Sequence, residues 1–113
     1  WLNDETPIDA VTAVSGSGPA YVFLLVEALS AAGVAAGLKP ELAARLARAT
    51  VAGAGALLDA WPERDAATLR RDVTSPGGTT EAALKVLMAG NGLQPLMTKA
   101  VKAAKARAHV LGR

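Results

Sequence analysis

Residues 19–36 of this sequence are apolar nearly all the way round any helix that they form. They read PAYVFLLVEALSAAGVAA, in which only Glu27 and Ser30 are polar. Pro19 favours a helix start and Gly37 a helix stop, so the stretch predicts one helix between them. Eighteen residues are at the lower limit for spanning a membrane, but the internal glutamate and the polar remainder of the chain favour a buried helix. A 113-residue chain has few helices to cover it, so we expect a homodimer with this helix near the shared core.

The rest of the sequence predicts an all-α chain. Alanine, the strongest helix former, supplies 26 of the 113 residues, and no segment alternates convincingly as a strand. Proline and glycine divide the remainder into further predicted helices at residues 40–60, 65–72, 81–89 and 95–113.

The second predicted helix contains two glycines, Gly53 and Gly55. Each costs about 1 kcal/mol relative to alanine inside a helix, and close helix packing is the usual compensation. The helical spacing predicts one packed face, formed by Leu42, Leu46, Ala49, Gly53 and Leu57.

Charge is distributed unevenly along the chain. Residues 1–81 hold six basic and ten acidic side chains, whereas residues 82–113 hold six basic and none acidic. A basic last helix is compatible with nucleic-acid binding, but it contains no aromatic residue for base stacking, which favours a solvated face and no nucleic-acid partner. His109 has no obvious carboxylate partner in the sequence and is predicted to be a surface residue. Without cysteine, disulfides and thiolate metal sites are excluded; we expect no metal site and a reducing compartment.

The first of two glycine-rich segments is SGSGPAY, residues 15–21. It superficially resembles a dinucleotide-binding fingerprint, but Tyr21 stands where the third glycine is required. The preceding DAVTAV is also a poor strand. The residues leave two interpretations open: a tight loop that starts a helix, or a binding loop.

The second segment is TSPGGTT, residues 74–80, which precedes a predicted helix. Its glycines permit unusual backbone conformations, and Thr79 or Thr80 is predicted to cap the helix. A glycine-flanked helix N-terminus binds anions through unpaired backbone N–H groups. No basic residue lies between Val73 and Ala83, so a small carboxylate fits better than a phosphate. The alternative is a capped helix without a ligand.

Together, DAVTAVSGSGPAY (9–21) and DVTSPGGTT (72–80) resemble the pyrroline-5-carboxylate reductases in order and separation. The resemblance covers nearly the whole chain. It implies an all-α bundle of about five helices in an intertwined homodimer, similar to the C-terminal domain of 6-phosphogluconate dehydrogenase. Residues 1–113 would form one C-terminal substrate-binding and dimerisation domain. The family's N-terminal Rossmann domain is not in this sequence, which agrees with a start at Trp1 rather than methionine.

The resemblance also implies an activity and a set of site residues. The family reduces pyrroline-5-carboxylate to L-proline with NADPH or NADH in proline biosynthesis, here expected in the cytoplasm. The Thr80 hydroxyl would contact the imine nitrogen as the catalytic group. The substrate carboxylate would be held by Ser75, Gly77, Gly78, Thr79 and Thr80. The residues next to the nicotinamide of the cofactor would be Ser15, Gly16, Ser17 and Gly18. The alternatives are a non-catalytic helical dimerisation module and, more weakly supported, a nucleic-acid binder using the basic last helix.

Overall fold

A computed structural model describes residues 7–112, which form helices and connecting segments and no strand. The all-α prediction is confirmed. The elements are α1 (Ile8–Val11), a π-helical turn (Thr12–Gly16), α2 (Gly18–Ala35), α3 (Pro40–Ala60), α4 (Ala66–Asp72), α5 (Thr79–Leu87) and α6 (Leu93–Leu111). They form two compact units: residues 7–19 with 73–112 (unit 1), and Ala20–Asp72 (unit 2).

The end of α2 follows the prediction from Gly37. Gly37 has a φ of +111°, a left-handed conformation that glycine adopts without a Cβ clash. Its N–H donates to the carbonyl of Val34, and the N–H of Leu38 donates to the carbonyl of Gly33, both at 3.0 Å. These two bonds form a Schellman motif, which satisfies the last carbonyls of the helix.

The interpretation of the SGSG segment as a tight entry to a helix is correct in part: Ser17 lies at a break and Gly18 begins α2, but Ser15 and Gly16 are already helical. Helix α1 runs directly into the π-helical turn, where the N–H of Ser17 donates to the carbonyl of Thr12 at 2.9 Å. No proline interrupts residues 8–16, and Ala13 is completely buried, so packing favours an earlier helix start. The segment is therefore helical up to Gly16, with a break at Ser17.

Unit 1 is built on the packing of α6 against α1 and the π-helical turn. Ala13 lies in this packing, and α6 has a half-buried stripe at helical spacing, Val101, Ala104 and Ala108. The same packing brings His109 Nδ1 within 3.0 Å of Asp9 Oδ2, so the prediction that His109 lacks a carboxylate partner was wrong. The two residues are 100 positions apart, and only tertiary packing brings them together.

In unit 2, α2 and α3 approach closely near the turn that joins them. A Cβ on Gly33 would lie 3.3 Å from the Cβ of Ala43, and Ala43 and Ala47 are each only 2% exposed. The predicted face of α3 is not packed within the described residues of this chain, because Leu42 and Leu46 remain at least 40% exposed. Small side chains allow the two backbones to approach, which leucines at the same positions would prevent.

Much of the apolar surface is uncovered. No residue of α2 is buried, and Phe23, Leu24 and Leu25 are 67%, 63% and 52% exposed. Successive residues point about 100° apart around a helix, so these three side chains expose apolar surface on more than one face of α2. By length and composition alone, the helical stretch Ile8–Ala35 could cross a membrane, a test that core helices of soluble proteins also pass. A Cβ on Gly53 or Gly55 would meet nothing within 4 Å, so their predicted packing partner is not supplied by the described residues.

Candidate functional site

The TSPGGTT segment contains a type II β-turn. The N–H of Gly78 donates to the carbonyl of Ser75 at 3.0 Å, with Pro76 second in the turn and Gly77 third. Gly77 has a φ of +73°, which type II turns require at that position. A Cβ on Gly78 would lie 3.2 Å from the Ser75 carbonyl oxygen, which is unusually tight. The turn itself therefore accounts for both glycines.

Helix α5 begins directly after this turn with its N-terminus open. Gly78 is the N-cap residue, and no side chain donates or accepts a capping hydrogen bond. The prediction that Thr79 or Thr80 caps the helix was wrong, because both already lie in its first turn. The first helical bond runs from the N–H of Ala82 to the carbonyl of Gly78, at 3.2 Å. The N–H groups of residues 79–81 therefore have no acceptor within the helix.

The electrostatics of this N-terminus suit a small, singly charged anion. The helix dipole favours an anion there by about 0.3–1 kcal/mol. The exposed residues Ser75, Thr79 and Thr80, in the turn and the first turn of the helix, carry hydroxyl groups. Glu81 is half-buried in the same turn, and its carboxylate repels a multiply charged anion more strongly than a singly charged one. With no basic side chain in residues 74–82, the arrangement can hold a carboxylate better than a phosphate.

The SGSG segment places its four residues in three settings. Ser15 and Gly16 end the π-helical turn, Ser17 lies at the break, and Gly18 begins α2. The Ser15 hydroxyl donates to the carbonyl of Val11 at 2.9 Å, so its proton is already used within the chain.

The chain itself does not require glycine at positions 16 and 18. Neither glycine has a positive φ. A Cβ on Gly18 would meet nothing within 4 Å, and one on Gly16 would meet only the Thr12 side chain, from 3.5 Å. The backbone at Gly18 is therefore open to close approach by an outside group.

Both segments belong to unit 1, and the hydrogen bonds described for each are local to it. Across residues 7–112, no three histidine, aspartate or glutamate side chains are grouped closely enough to hold a metal ion. Sequence reasoning missed the π-helical turn and the Asp9–His109 contact. The contact leaves no signal in local sequence, because it joins the two ends of the chain.

The fold and these segments define a class: an all-helical domain with an open helix N-terminus and apolar surface that needs a partner to cover it. Residues 5–111 match the family described as pyrroline-5-carboxylate reductase dimerisation. The chain belongs to the pyrroline-5-carboxylate reductase family, and the resemblance drawn from the two motifs is confirmed.

Similar proteins come from distant organisms. A pyrroline-5-carboxylate reductase of Pseudomonas aeruginosa is 54% identical over 107 residues, which are 95% of this chain and 38% of that protein. One from Arabidopsis thaliana is 51% identical over 102 residues, 90% of this chain and 37% of that protein. The chain thus spans well under half the length of these relatives.

Solved structures of the family have the same fold. The enzyme from Coxiella burnetii matches with a TM-score of 0.87 and 49% identity, over 98% of this chain and 40% of that one. The Plasmodium falciparum enzyme, solved with NADP bound, matches with a TM-score of 0.86 and 34% identity, over 98% of this chain and 42% of that one.

Proposed function

We propose that this chain is the substrate-binding and dimerisation domain of a cytoplasmic enzyme that reduces pyrroline-5-carboxylate to L-proline with NADPH or NADH, in proline biosynthesis. The open N-terminus of α5 behind the TSPGGTT turn is the observation that carries the proposal. Because the chain spans about 40% of its relatives, the activity is assigned to a longer protein that also holds a nucleotide-binding domain. The proposal includes no nucleic-acid, membrane or metal partner.

The substrate is held by its carboxylate at α5. Backbone N–H groups of Thr79 and Thr80 donate to the carboxylate, and the Ser75 hydroxyl adds a donor beside them. Gly77 and Gly78 hold the turn in the shape that leaves these groups accessible. The Thr80 hydroxyl accepts a hydrogen bond from the protonated imine nitrogen, which favours the form of the substrate that accepts hydride.

The SGSG segment borders the nicotinamide in this proposal. The cofactor supplies the hydride when it is bound, and the protein contributes position and electrostatics. Gly18 leaves room for the ring beside the backbone, and Ser17, at the break before α2, lies next to that space. Support for a nicotinamide cofactor comes from the structural relative of Plasmodium falciparum, which was solved with NADP.

A second copy of the chain is the proposed partner for the uncovered apolar surface. A helix that is apolar on more than one face is normally buried, and exposed apolar patches of this kind mark interfaces. Gly53 and Gly55 support the proposal, because their open surroundings on α3 suit a closely packed helix of the other copy.

Thr80 gives the test of the activity. In the full-length protein, Thr80→Ala is expected to lower turnover of pyrroline-5-carboxylate at least about tenfold, or 1.4 kcal/mol of transition-state stabilisation. Thr80→Ser should keep most of the activity, since it keeps the hydroxyl. Thr98→Ala, on an exposed threonine of α6, is the matched control and should be neutral. Unchanged kinetics in Thr80→Ala would remove Thr80 from the mechanism.

Sedimentation of the full-length protein at micromolar concentration tests the homodimer. Leu24→Asp is expected to shift it towards monomer, because the charge would be buried without a partner in the interface. Lys105→Asp introduces the same side chain at an exposed polar position of α6 and should leave the mass unchanged. A monomeric wild type would contradict the proposed assembly.

A non-catalytic dimerisation module is the second candidate. It is favoured by the turn geometry, which explains Gly77 and Gly78 without any ligand. The two candidates differ in one measurement, since only the reductase oxidises NADPH when pyrroline-5-carboxylate is added.

A further inference from the structure

We propose that Asp9 and His109 form a positioning contact, which holds α1 and the π-helical turn against α6 and thereby sets the backbone of residues 15–18 for the nicotinamide. The inference rests on the proposed function, which assigns that backbone to the cofactor side. Neither Asp9 nor His109 touches substrate or cofactor in this proposal, because both act through the π-helical turn.

The contact has the geometry of a hydrogen bond that ties one helix to another. His109 Nδ1 lies 3.0 Å from Asp9 Oδ2, with the side chains 57% and 34% exposed. A histidine with a proton on Nδ1 donates to a carboxylate whether the ring is neutral or charged. Water competes at this exposure, so the contact contributes modestly to stability, while its direction still fixes how the two helices meet.

Helix α1 depends on such contacts for its position. It has four residues, too few for a stable isolated helix, and Ala13 provides the fully buried contact beyond it. Apolar packing by Ala13 and by the half-buried Ala10 and Val11 restricts sliding and rotation only weakly, because apolar contact has no preferred direction. The directional hydrogen bond from His109 of α6 to Asp9 fixes the orientation of α1 about one turn before the π-helical turn.

The π-helical turn transmits this position to the SGSG segment. The chain is continuously helical from Ile8 to Gly16, and the bond from the Ser17 N–H to the Thr12 carbonyl closes the turn. Isolated π turns of this kind occur often at functional sites. Conversion of the turn to α geometry would rotate the following residues by about 100°. The backbone of Gly16 and Gly18 would then no longer face the nicotinamide in the same orientation.

Kinetics of the full-length reductase test the inference. His109→Ala is expected to raise the KM for the nicotinamide cofactor about fivefold, the value of one ordinary hydrogen bond. The KM for pyrroline-5-carboxylate should change less than twofold, because α5 contacts the substrate independently. Asp9→Ala should match His109→Ala, and the double variant should be no worse than either alone.

Two further variants separate positioning from simple destabilisation. His109→Asn keeps an N–H donor close to the place of Nδ1 and should restore the cofactor KM to within about twofold of wild type. Gln94→Ala removes a 3.1 Å hydrogen bond to Thr98 that stays within α6, so it should not alter the cofactor KM. Amide exchange should be faster at residues 12–17 in His109→Ala and unchanged in α5.

The outcomes distinguish the two proposals. A wild-type protein without reductase activity contradicts the proposed function, and the cofactor role of the contact is lost with it. An active wild type with an unchanged cofactor KM in His109→Ala overturns the positioning role alone. Equal increases in both KM values, or unchanged exchange at residues 12–17, also overturn it.

Discussion

Two helices of this domain begin in opposite ways. At α4, the Oδ1 atom of Asp65 accepts a hydrogen bond from the N–H of Thr68 at 2.8 Å, so the chain caps its own helix. At α5, the N-cap is Gly78, and no side chain caps the helix although hydroxyls stand on both sides of it. The first N-terminus is closed by a carboxylate of the chain, and the second is left open.

The difference indicates what the α5 N-terminus is able to accept. Hydrogen bonding to Thr68, together with the nearby charge of Arg71, lowers the pKa of Asp65, so its carboxylate is favoured in the ionised form. At α4, hydrogen bonds from the first turn of the helix and the charge of Arg71 thus favour a carboxylate at the N-terminus. In the proposed function, the substrate carboxylate accepts hydrogen bonds at the N-terminus of α5, as the Asp65 carboxylate does at the N-terminus of α4.

The largest expected effect comes from giving α5 a cap like that of α4. Gly78→Asp places a carboxylate at the N-cap, where it competes with the substrate, and should raise the KM for pyrroline-5-carboxylate by about tenfold or more. Gly78→Ala is the control for the tight approach of a Cβ to the Ser75 carbonyl. Steady-state kinetics that are the same for the two variants would contradict a carboxylate site at α5.

The second effect concerns the turn that exposes this N-terminus. Gly77→Ala forces a side chain into a positive φ and should lower the free energy of unfolding by about 1–2 kcal/mol. Gly90→Ala is the matched control, because Gly90 has no positive φ and a Cβ there would meet nothing within 4 Å. Denaturant unfolding measures both, and equal losses would mean that the turn conformation is not what requires Gly77.

Removal of the α4 cap should have a smaller effect. Asp65→Ala leaves the N–H of Thr68 without its acceptor and is expected to lower Tm by only a few degrees. Asp65→Asn keeps a side-chain oxygen and should lose less. Substrate kinetics should be unchanged in both variants, since α4 carries none of the proposed site residues. An altered KM for pyrroline-5-carboxylate would contradict the proposal that only the N-terminus of α5 binds the substrate.

The smallest effect is a pH dependence confined to α4. The folded-state pKa of Asp65 is lowered, so its contribution is fully present above its ordinary value of 3.8 and is lost as pH falls through the folded pKa. Local stability around Thr68 should therefore decline in acid below pH 3.8, as measured by amide exchange. Asp65→Asn should remove this dependence, and an unchanged acid profile in that variant would mean that another group is responsible.

Local chemistry made much of the fold predictable. Pro40 as first residue of α3, Gly37 as the stop of α2 and the turn at Pro76–Gly77 all follow rules that act over a few residues. The rules failed where packing competes with local preference. Ala13 is buried in the packing with α6, and residues 8–16 form a helix and a π turn, so Ser15 and Gly16 are helical although they were assigned to the loop of residues 15–21.

The candidate site divides in the same way. The sequence alone located TSPGGTT and SGSG and placed a helix after each, but it assigned the cap of α5 to a threonine. That assignment depended on the exact residue at which the helix begins, which one backbone hydrogen bond, from Ala82 to Gly78, decides. The roles of Thr80 and of Ser15, Gly16, Ser17 and Gly18 remain predictions for the kinetic experiments.

The sequence by itself determined the helical class, the apolar character of α2 around its whole circumference and the family to which the chain belongs, because these follow from composition, periodicity and motifs. Tertiary structure alone decided that Ala43 and Ala47 rather than the leucines of α3 are buried, and that Asp9 meets His109. Those outcomes depend on how closely two backbones approach and on contacts across 100 residues. Neither the distance between two helix backbones nor a contact across 100 residues can be inferred from a short stretch of sequence.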